Sequence, residues 1–262
     1  MTDIRPALTD FYNTTTRPVV ALKLHPVSGS GPQELDPASS RVGYLGAVTP
    51  DFPWPRGYND KPMCLIAQLN LAELPPLTGY PTGGLLQFFV ADDFSFGSDE
   101  AATGGKPGCL VRLIPADELD KAQAAEHIPD NAEFLLSGGH FTVTGTHIQQ
   151  GISSAENPVV LNELAEHGLP TDATTARKLR RIITAHQPEP YPSIFGDGWG
   201  YFFHWDPREV GDGQRLLLQL HAYSTQDVQL VLGNEGCMSF LIDDHDLQRC
   251  DFSNITYLLE VS

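Results

Sequence analysis

Apolar residues in this chain come in short blocks cut by Gly, Pro and Asp, and few of them sustain the 3.6-residue period of a helix. Cys64–Asn70, Gly84–Val90, Cys109–Ile114, Arg215–His221 and Gly236–Ile242 are strand-sized and rich in aliphatic and aromatic side chains. Pro18–His25, His140–Gln149, Gly200–Trp205, Val228–Leu232 and Thr256–Glu260 read as further strands. Helical signals gather in the middle of the chain. Asn157-Pro158 places an N-cap before a proline at the first helical position, and Gly168 closes that helix ahead of Pro170. Asp172 caps the next helix, which must end before Pro188. Shorter helices are expected near Ala116–Ala125 and within the first 15 residues. Pro50–Pro62 and Leu74–Pro81 read as structured turns, and Gln187–Pro192 as a linker.

The blocks repeat. Cys64–Asn70 aligns with Arg215–His221, placing Gln68 and Gln219 151 positions apart. Gly84–Val90 aligns with Gly236–Ile242 at 152, and Phe52-Pro53-Trp54 meets Phe203-His204-Trp205 at 151. The fold expected is mainly β, a β-rich α+β domain over residues 1–262. Two β-rich repeats of mixed or antiparallel sheet, about 17–115 and 190–262, flank a partly helical connector, about 116–189. Side chains alternate along a strand. Regular alternation puts Leu216, Leu218 and Leu220 opposite Leu217, Gln219 and His221, and Leu65, Ala67 and Leu69 opposite Ile66, Gln68 and Asn70. Gln87 and Ser239 mark the same semi-polar side in the neighbouring blocks. Two readings of that side stand: it lines a groove, or each Gln is buried and bonded to nearby backbone.

Charge narrows the partners. Sixteen Lys and Arg face 33 Asp and Glu, a formal charge of −17 spread over both halves. Such a field repels phosphate backbones and anionic bilayers, so neither nucleic acid nor membrane is an expected partner. Arg177, Lys178, Arg180 and Arg181 interrupt the acid; they read as the solvated face of a helix whose apolar face is Ala176, Leu179, Ile182 and Ile183. The N-terminus has neither the basic nor the apolar region of a signal peptide, and no apolar run spans a bilayer, so a cytoplasmic location is expected. Cys64, Cys109, Cys237 and Cys250 form no metal-binding or redox spacing, and free thiols are expected in a chain long enough to fold unaided.

Catalytic signatures are missing. There is no phosphate loop and no Gly-x-Ser-x-Gly elbow, and Gly196–Gly200 reads as a turn before an aromatic block. Asp243-Asp244-His245-Asp246 is the densest set of candidate metal ligands, but Asp92-Asp93 follows the matching block, and a repeated strand-ending turn explains both. Glu163–His167 reads as a helix surface. No cofactor or metal is expected. Asp206-Pro207-Arg208 sets an acid and a base around a rigid proline, to pair with each other or with a ligand; an ion pair locking a strand end is the plainer reading.

Trp54-Pro55, Pro62–Leu71, Gly84–Phe89, Asp206-Pro207-Arg208, Leu216–Leu220, Asp246-Leu247 and Asp251–Asn254 form an ordered motif set running through most of the chain. In these motifs the chain resembles the YwqG-like family of bacterial proteins. It departs at Leu232-Gly233-Asn234, where members commonly carry Trp-Gly-Asp, and at His204-Trp205, where many carry Thr-Gln. The resemblance implies an internally duplicated, mainly β fold and brings no established catalysis. It extends distantly to ribosome-maturation proteins of the programmed-cell-death-2 type, which act as chaperone-like binders. The function expected is therefore a non-enzymatic protein- or peptide-binding module, chaperone-like or immunity-type, with a hydrolase-type enzyme as the alternative. The site is expected in a groove between the repeats. Its candidate ligand-binding residues are Trp54, Gln68, Asn70, Trp205, Asp206, Arg208, Gln219 and His221. Charge complementarity makes a basic polypeptide the expected partner.

Overall fold

Each aliphatic block bounded by turn residues becomes a strand, and nearly all the strands enter one sheet. The computed structural model describes residues 3–28, 36–43, 45–125, 135–188, 192–233 and 235–261. Its strands are β1 (Arg17–Ser28), β2 (Arg41–Val42), β3 (Ala47–Val48), β4 (Cys64–Asn70), β5 (Leu85–Val90), β6 (Cys109–Ile114), β7 (Gln123–Ala124), β8 (Leu136–Ser137), β9 (Gly139–Gln150), β10 (Ser193–Phe195), β11 (Gln214–His221), β12 (Tyr223–Ser224), β13 (Gln229–Leu230), β14 (Gly236–Asp243) and β15 (Ile255–Val261). The helices are α1 (Arg5–Thr14), α2 (Glu100–Thr103), α3 (Pro158–Glu166), α4 (Ala173–His186) and α5 (Asp244–Gln248), with a 3₁₀ turn at Ala116–Lys121.

Ten strands form an antiparallel sheet in the order β15-β14-β11-β10-β1-β9-β2-β4-β5-β6. The long β1–β9 ladder, from Arg17↔Gln150 to Ser28↔Gly139, is its centre. Outward from that centre, both sides read alike: a very short strand (β10 or β2), then β11 or β4, β14 or β5, β15 or β6. The sheet curls until its two edge strands, β6 and β15, approach each other. Its inner face packs Phe88 against Phe240 at 5.1 Å and Phe240 against Tyr257 at 5.0 Å. Phe88 and Phe240 are wholly buried, worth roughly 2 to 3 kcal/mol each in apolar transfer.

The strict alternation expected along β4 and β11 is broken in both strands. Each carries a β-bulge, between Leu65 and Ala67 and between Leu216 and Leu218. The extra residue shifts the parity of the strand. Ile66 therefore joins Ala67 and Leu69 on the inner face, and Leu217 joins Leu218 and Leu220. Leu65 and Leu216 lie in separate clusters on the outer side.

A second core forms outside the sheet from Leu8, Phe11, Val160, Leu164, Leu179, Ile183 and Trp199, contributed by α1, α3, α4 and the turn after β10. The capping signals are realised. The Asn157 side chain accepts from Val159 N at 2.7 Å, and Asp172 accepts from the N–H groups of Thr174 and Thr175. Gly168 closes α3 at φ 68°. Gly200–Trp205, expected as a strand, is an irregular loop. Gly200 sits at φ 69°, and the N–H groups of Tyr201, Phe203 and His204 are taken by side chains of β11 and β15, not by a neighbouring strand. Within the Gln187–Pro192 linker, residues 189–191 lie outside the described residues, as does Asn234.

Candidate functional site

The outer, semi-polar side of the sheet anchors two loops that carry Trp54 and Trp205. Gln68 is wholly buried. Its Oε1 accepts from Ala47 N at 2.9 Å, and its Nε2 donates to Pro37 O and Ser39 O at 2.7 and 2.8 Å. Gln219, equally buried, accepts from Tyr201 N at 2.7 Å and donates to Ser239 Oγ at 2.9 Å. Gln219 thus holds the loop that precedes its own strand, while Gln68 ties the start of β3 to the loop that leads into β2. Asn70 acts similarly, donating to Ala38 O at 3.1 Å and accepting from Ala72 N at 3.1 Å.

The two tryptophan loops are clamped from the edge strands by opposite charges. Arg112 on β6 donates to Pro53 O at 2.6 Å and, through Nε, to Gln87 Oε1 at 2.8 Å. Glu260 on β15 accepts from His204 N at 2.8 Å and Phe203 N at 3.2 Å. The Cys237 thiol donates to the same carboxylate at 3.4 Å. In the strand-pair register, Cys237↔Glu260 occupies the place that Leu85↔Ile114 holds on the other side of the sheet. A wholly apolar pair there is replaced by an acid and a thiol, and sequence spacing alone gave no signal for either residue.

Arg208 and Asp206 form a lock. Arg208 is 3% exposed; its Nε and NH2 donate to the two oxygens of Asp206 at 2.9 and 2.7 Å. It also donates to Gly198 O at 2.8 Å and Trp199 O at 2.7 Å. Asp206 Oδ2 in turn accepts from Asn157 Nδ2 at 2.6 Å, which ties the loop to the N-terminus of α3. His221 is buried, with Nε2 3.2 Å from Gln219 Oε1 and its ring edge-on to Tyr201 and Phe203. Burial pulls its pKa down to about 4, which keeps the ring neutral. Burial, reinforced by the charge of Glu260, pushes the Cys237 thiol far above its usual range, away from the thiolate form a nucleophile needs.

The tryptophans differ in what they do. Trp54 donates its indole N–H to Met63 O at 2.9 Å and packs edge-on against Phe89. Trp199 donates to Thr15 O at 2.9 Å and carries the Arg17 guanidinium 3.9 Å above its ring. Trp205 is 63% exposed, and among the described residues nothing bonds its N–H or stacks on its ring. It borders a cleft of about 450 Å³ that also includes Ser153, Glu156, Asn157, Tyr201, Phe203 and His204. Trp54 borders a different cleft, with Val48, Pro50, Pro53 and Lys121. His221 borders a third, with Lys23, Thr146 and Tyr223. The structure thus gathers Trp205 and Asp206 at one cleft and does not bring Trp54 to it.

Residues 40–260 match the model of a family described as a domain of unknown function, DUF1963. The chain belongs to that family. No curated protein matches it at a significant level. The DUF1963 match spans both loop clamps, the Arg208 lock and the Trp205 cleft. The acidic turn of this DUF1963 domain, Asp243–Asp246, is engaged locally. Asp243 caps α5 through His245 N at 2.8 Å, Asp244 pairs with Arg215 at 2.6 Å and Asp246 with Arg249 at 3.2 Å. The side chains of Asp243, His245 and Asp246 still place one ligand atom each within 4.8 Å of the others. Among the described residues no helix is long and apolar enough to cross a membrane.

Proposed function

We propose that this DUF1963 domain is a cytoplasmic, YwqG-like, non-enzymatic module that binds a polypeptide at the Trp205 cleft, built from two copies of one β unit. The observation that carries the reading is Trp205 itself. An amphipathic ring with an unused donor at the mouth of a cleft is the side chain most enriched at binding hot spots. The matching bulges and the like order of strands on each side of β1–β9 support the duplication. Around the ring, Gln219, Glu260, Arg208 and Asp206 hold the loop in place, which favours a preformed recognition surface over a catalytic centre. The neutral His221 and the protonated Cys237 favour the same side.

The test pairs stability with binding. Trp205→Ala removes an exposed ring and is expected to leave the melting temperature within about 2 °C of wild type, since surface changes cost within about 0.5 kcal/mol. The same variant should lose a partner that the wild type recovers from host lysate at low salt and releases at high salt. Retention of every partner by the variant, or a wild type with no salt-sensitive partner, would refute the proposal.

A further inference from the structure

Resting on that reading, we propose that the Trp205 cleft takes a cationic side chain, arginine or lysine, of the bound polypeptide, with the cation over the indole face and a peptide carbonyl accepting from the indole N–H. Four observations converge. The first is that both binding faculties of Trp205, ring and donor, are unused, whereas Trp199 uses both internally, one of them on the Arg17 guanidinium at 3.9 Å. A tryptophan face is the best aromatic partner for a cation.

The second is the charge of the walls. Among the described residues lining the cleft there is no Lys or Arg, while Glu156 and Asp206 both line it. The third is that these two acids differ in availability. Asp206 is buried and held by Arg208 and Asn157. Glu156 is two-thirds exposed, and its one ion pair among the described residues, to Arg180, is exposed on both sides. Exposed pairs are worth little, so an incoming cation can take Arg180's place on Glu156. The fourth is that the cleft is a poor anion site although the N-terminus of α3 opens onto it. Asn157 already caps that end, and Asp206 and Glu156 supply the negative charge it favours. The −17 field of the whole chain adds long-range attraction for the cation.

The experiment uses the full chain with its three tryptophans replaced biosynthetically by 5-fluorotryptophan, each fluorine resonance assigned from Trp54→Phe, Trp199→Phe and Trp205→Phe. Two capped pentapeptides are titrated, Gly-Gly-Arg-Gly-Gly and the same peptide with neutral citrulline, together with maltotriose as a polar non-peptide. The expected result is a shift of the Trp205 resonance alone, with the arginine peptide binding about three- to tenfold more tightly than the citrulline peptide, and no response to maltotriose. Because Trp205→Phe keeps the net charge, loss of that preference in the variant, read by isothermal titration calorimetry of both peptides, separates the ring from the general field. Equal shifts by both peptides would overturn the cationic anchor and leave the polypeptide reading standing. A Trp205 resonance that ignores both peptides, or that answers maltotriose instead, would overturn both.

Discussion

Replacing Arg208 by methionine keeps most of the side chain's volume and removes its charge and every donor. In the folded protein Asp206 would then be a carboxylate, 3% exposed, whose bidentate partner has gone, retaining Asn157 Nδ2 and the backbone N–H of Arg208's own position. The carbonyls of Gly198 and Trp199 would lose their donors as well. Breaking a buried ion pair by removing one member costs about 3 to 5 kcal/mol, because the remaining charge stays buried. For a chain of this length each kcal/mol lowers the melting temperature by about 2 to 4 °C, so a fall of about 10 °C is expected. Differential scanning calorimetry of the wild type and Arg208→Met measures it directly. The double variant Arg208→Met/Asp206→Leu removes both charges and should recover more than half of the loss. A single variant melting within about 2 °C of wild type would refute the lock, and a double variant worse than the single would refute its electrostatic origin.

Other outcomes follow from the same geometry. The folded pKa of His221 is about 4 against about 6.5 unfolded, so the unfolded chain binds the extra proton between those values; stability is full above about pH 6.5 and falls by about 3 kcal/mol as pH drops toward 4. His140, lowered by burial and by Arg41, acts in the same direction; His221→Phe should flatten the pH dependence of the melt between pH 7 and 5, and an unchanged slope would contradict the assignment. Of the four thiols, Cys250 is exposed and the others are buried, with Cys109 pushed up to about 12 by burial, so a thiol reagent should titrate one group quickly in the native protein and four after denaturation. Gln68→Ala and Gln219→Ala each free buried backbone donors or acceptors and should each cost about 2 kcal/mol by chemical denaturation; a negligible cost at either position would show that its loop is held by other bonds.

The strands richest in aliphatic residues were legible because turn residues bound them tightly: Cys109–Ile114 stands where the pattern places it, and Gly84–Val90 does so to within one residue. The caps of α3 and α4 were legible because capping is a local matter of side chain and neighbouring N–H. The bulges were not. One additional residue on a strand leaves the run of apolar letters unchanged, so Ile66 and Leu217 look like outward residues until their neighbours are seen. Gly200–Trp205 misled for the opposite reason. Its run of aromatic residues mimics a strand, yet Gln219 and Glu260, 18 to 57 positions downstream, capture its amides. Of the candidate cleft and its lock, Trp205, Asp206 and Arg208 were singled out in the sequence. Glu260 was not, since its role depends on an edge strand lying beneath a loop from another part of the chain.

The central ladder has a consequence for how the chain reaches this state. β1 lies between β9 and β10, and both come from the second half of the chain. Its partners in β9 are 111 to 133 positions away. As the nascent chain leaves the ribosome, β2, β4, β5 and β6 find one another early, while β1 emerges with neither neighbour yet synthesised. It must wait with both hydrogen-bonding edges open, the condition in which strands pair with the wrong molecule. A sequence unit and a folding unit are therefore different things in this protein. The first half cut free at the connector would carry an orphan strand, and the second half a β9 lacking β1. Fragments 1–125 and 135–262, each aggregating alone, should recover solubility and a cooperative melt only when produced together.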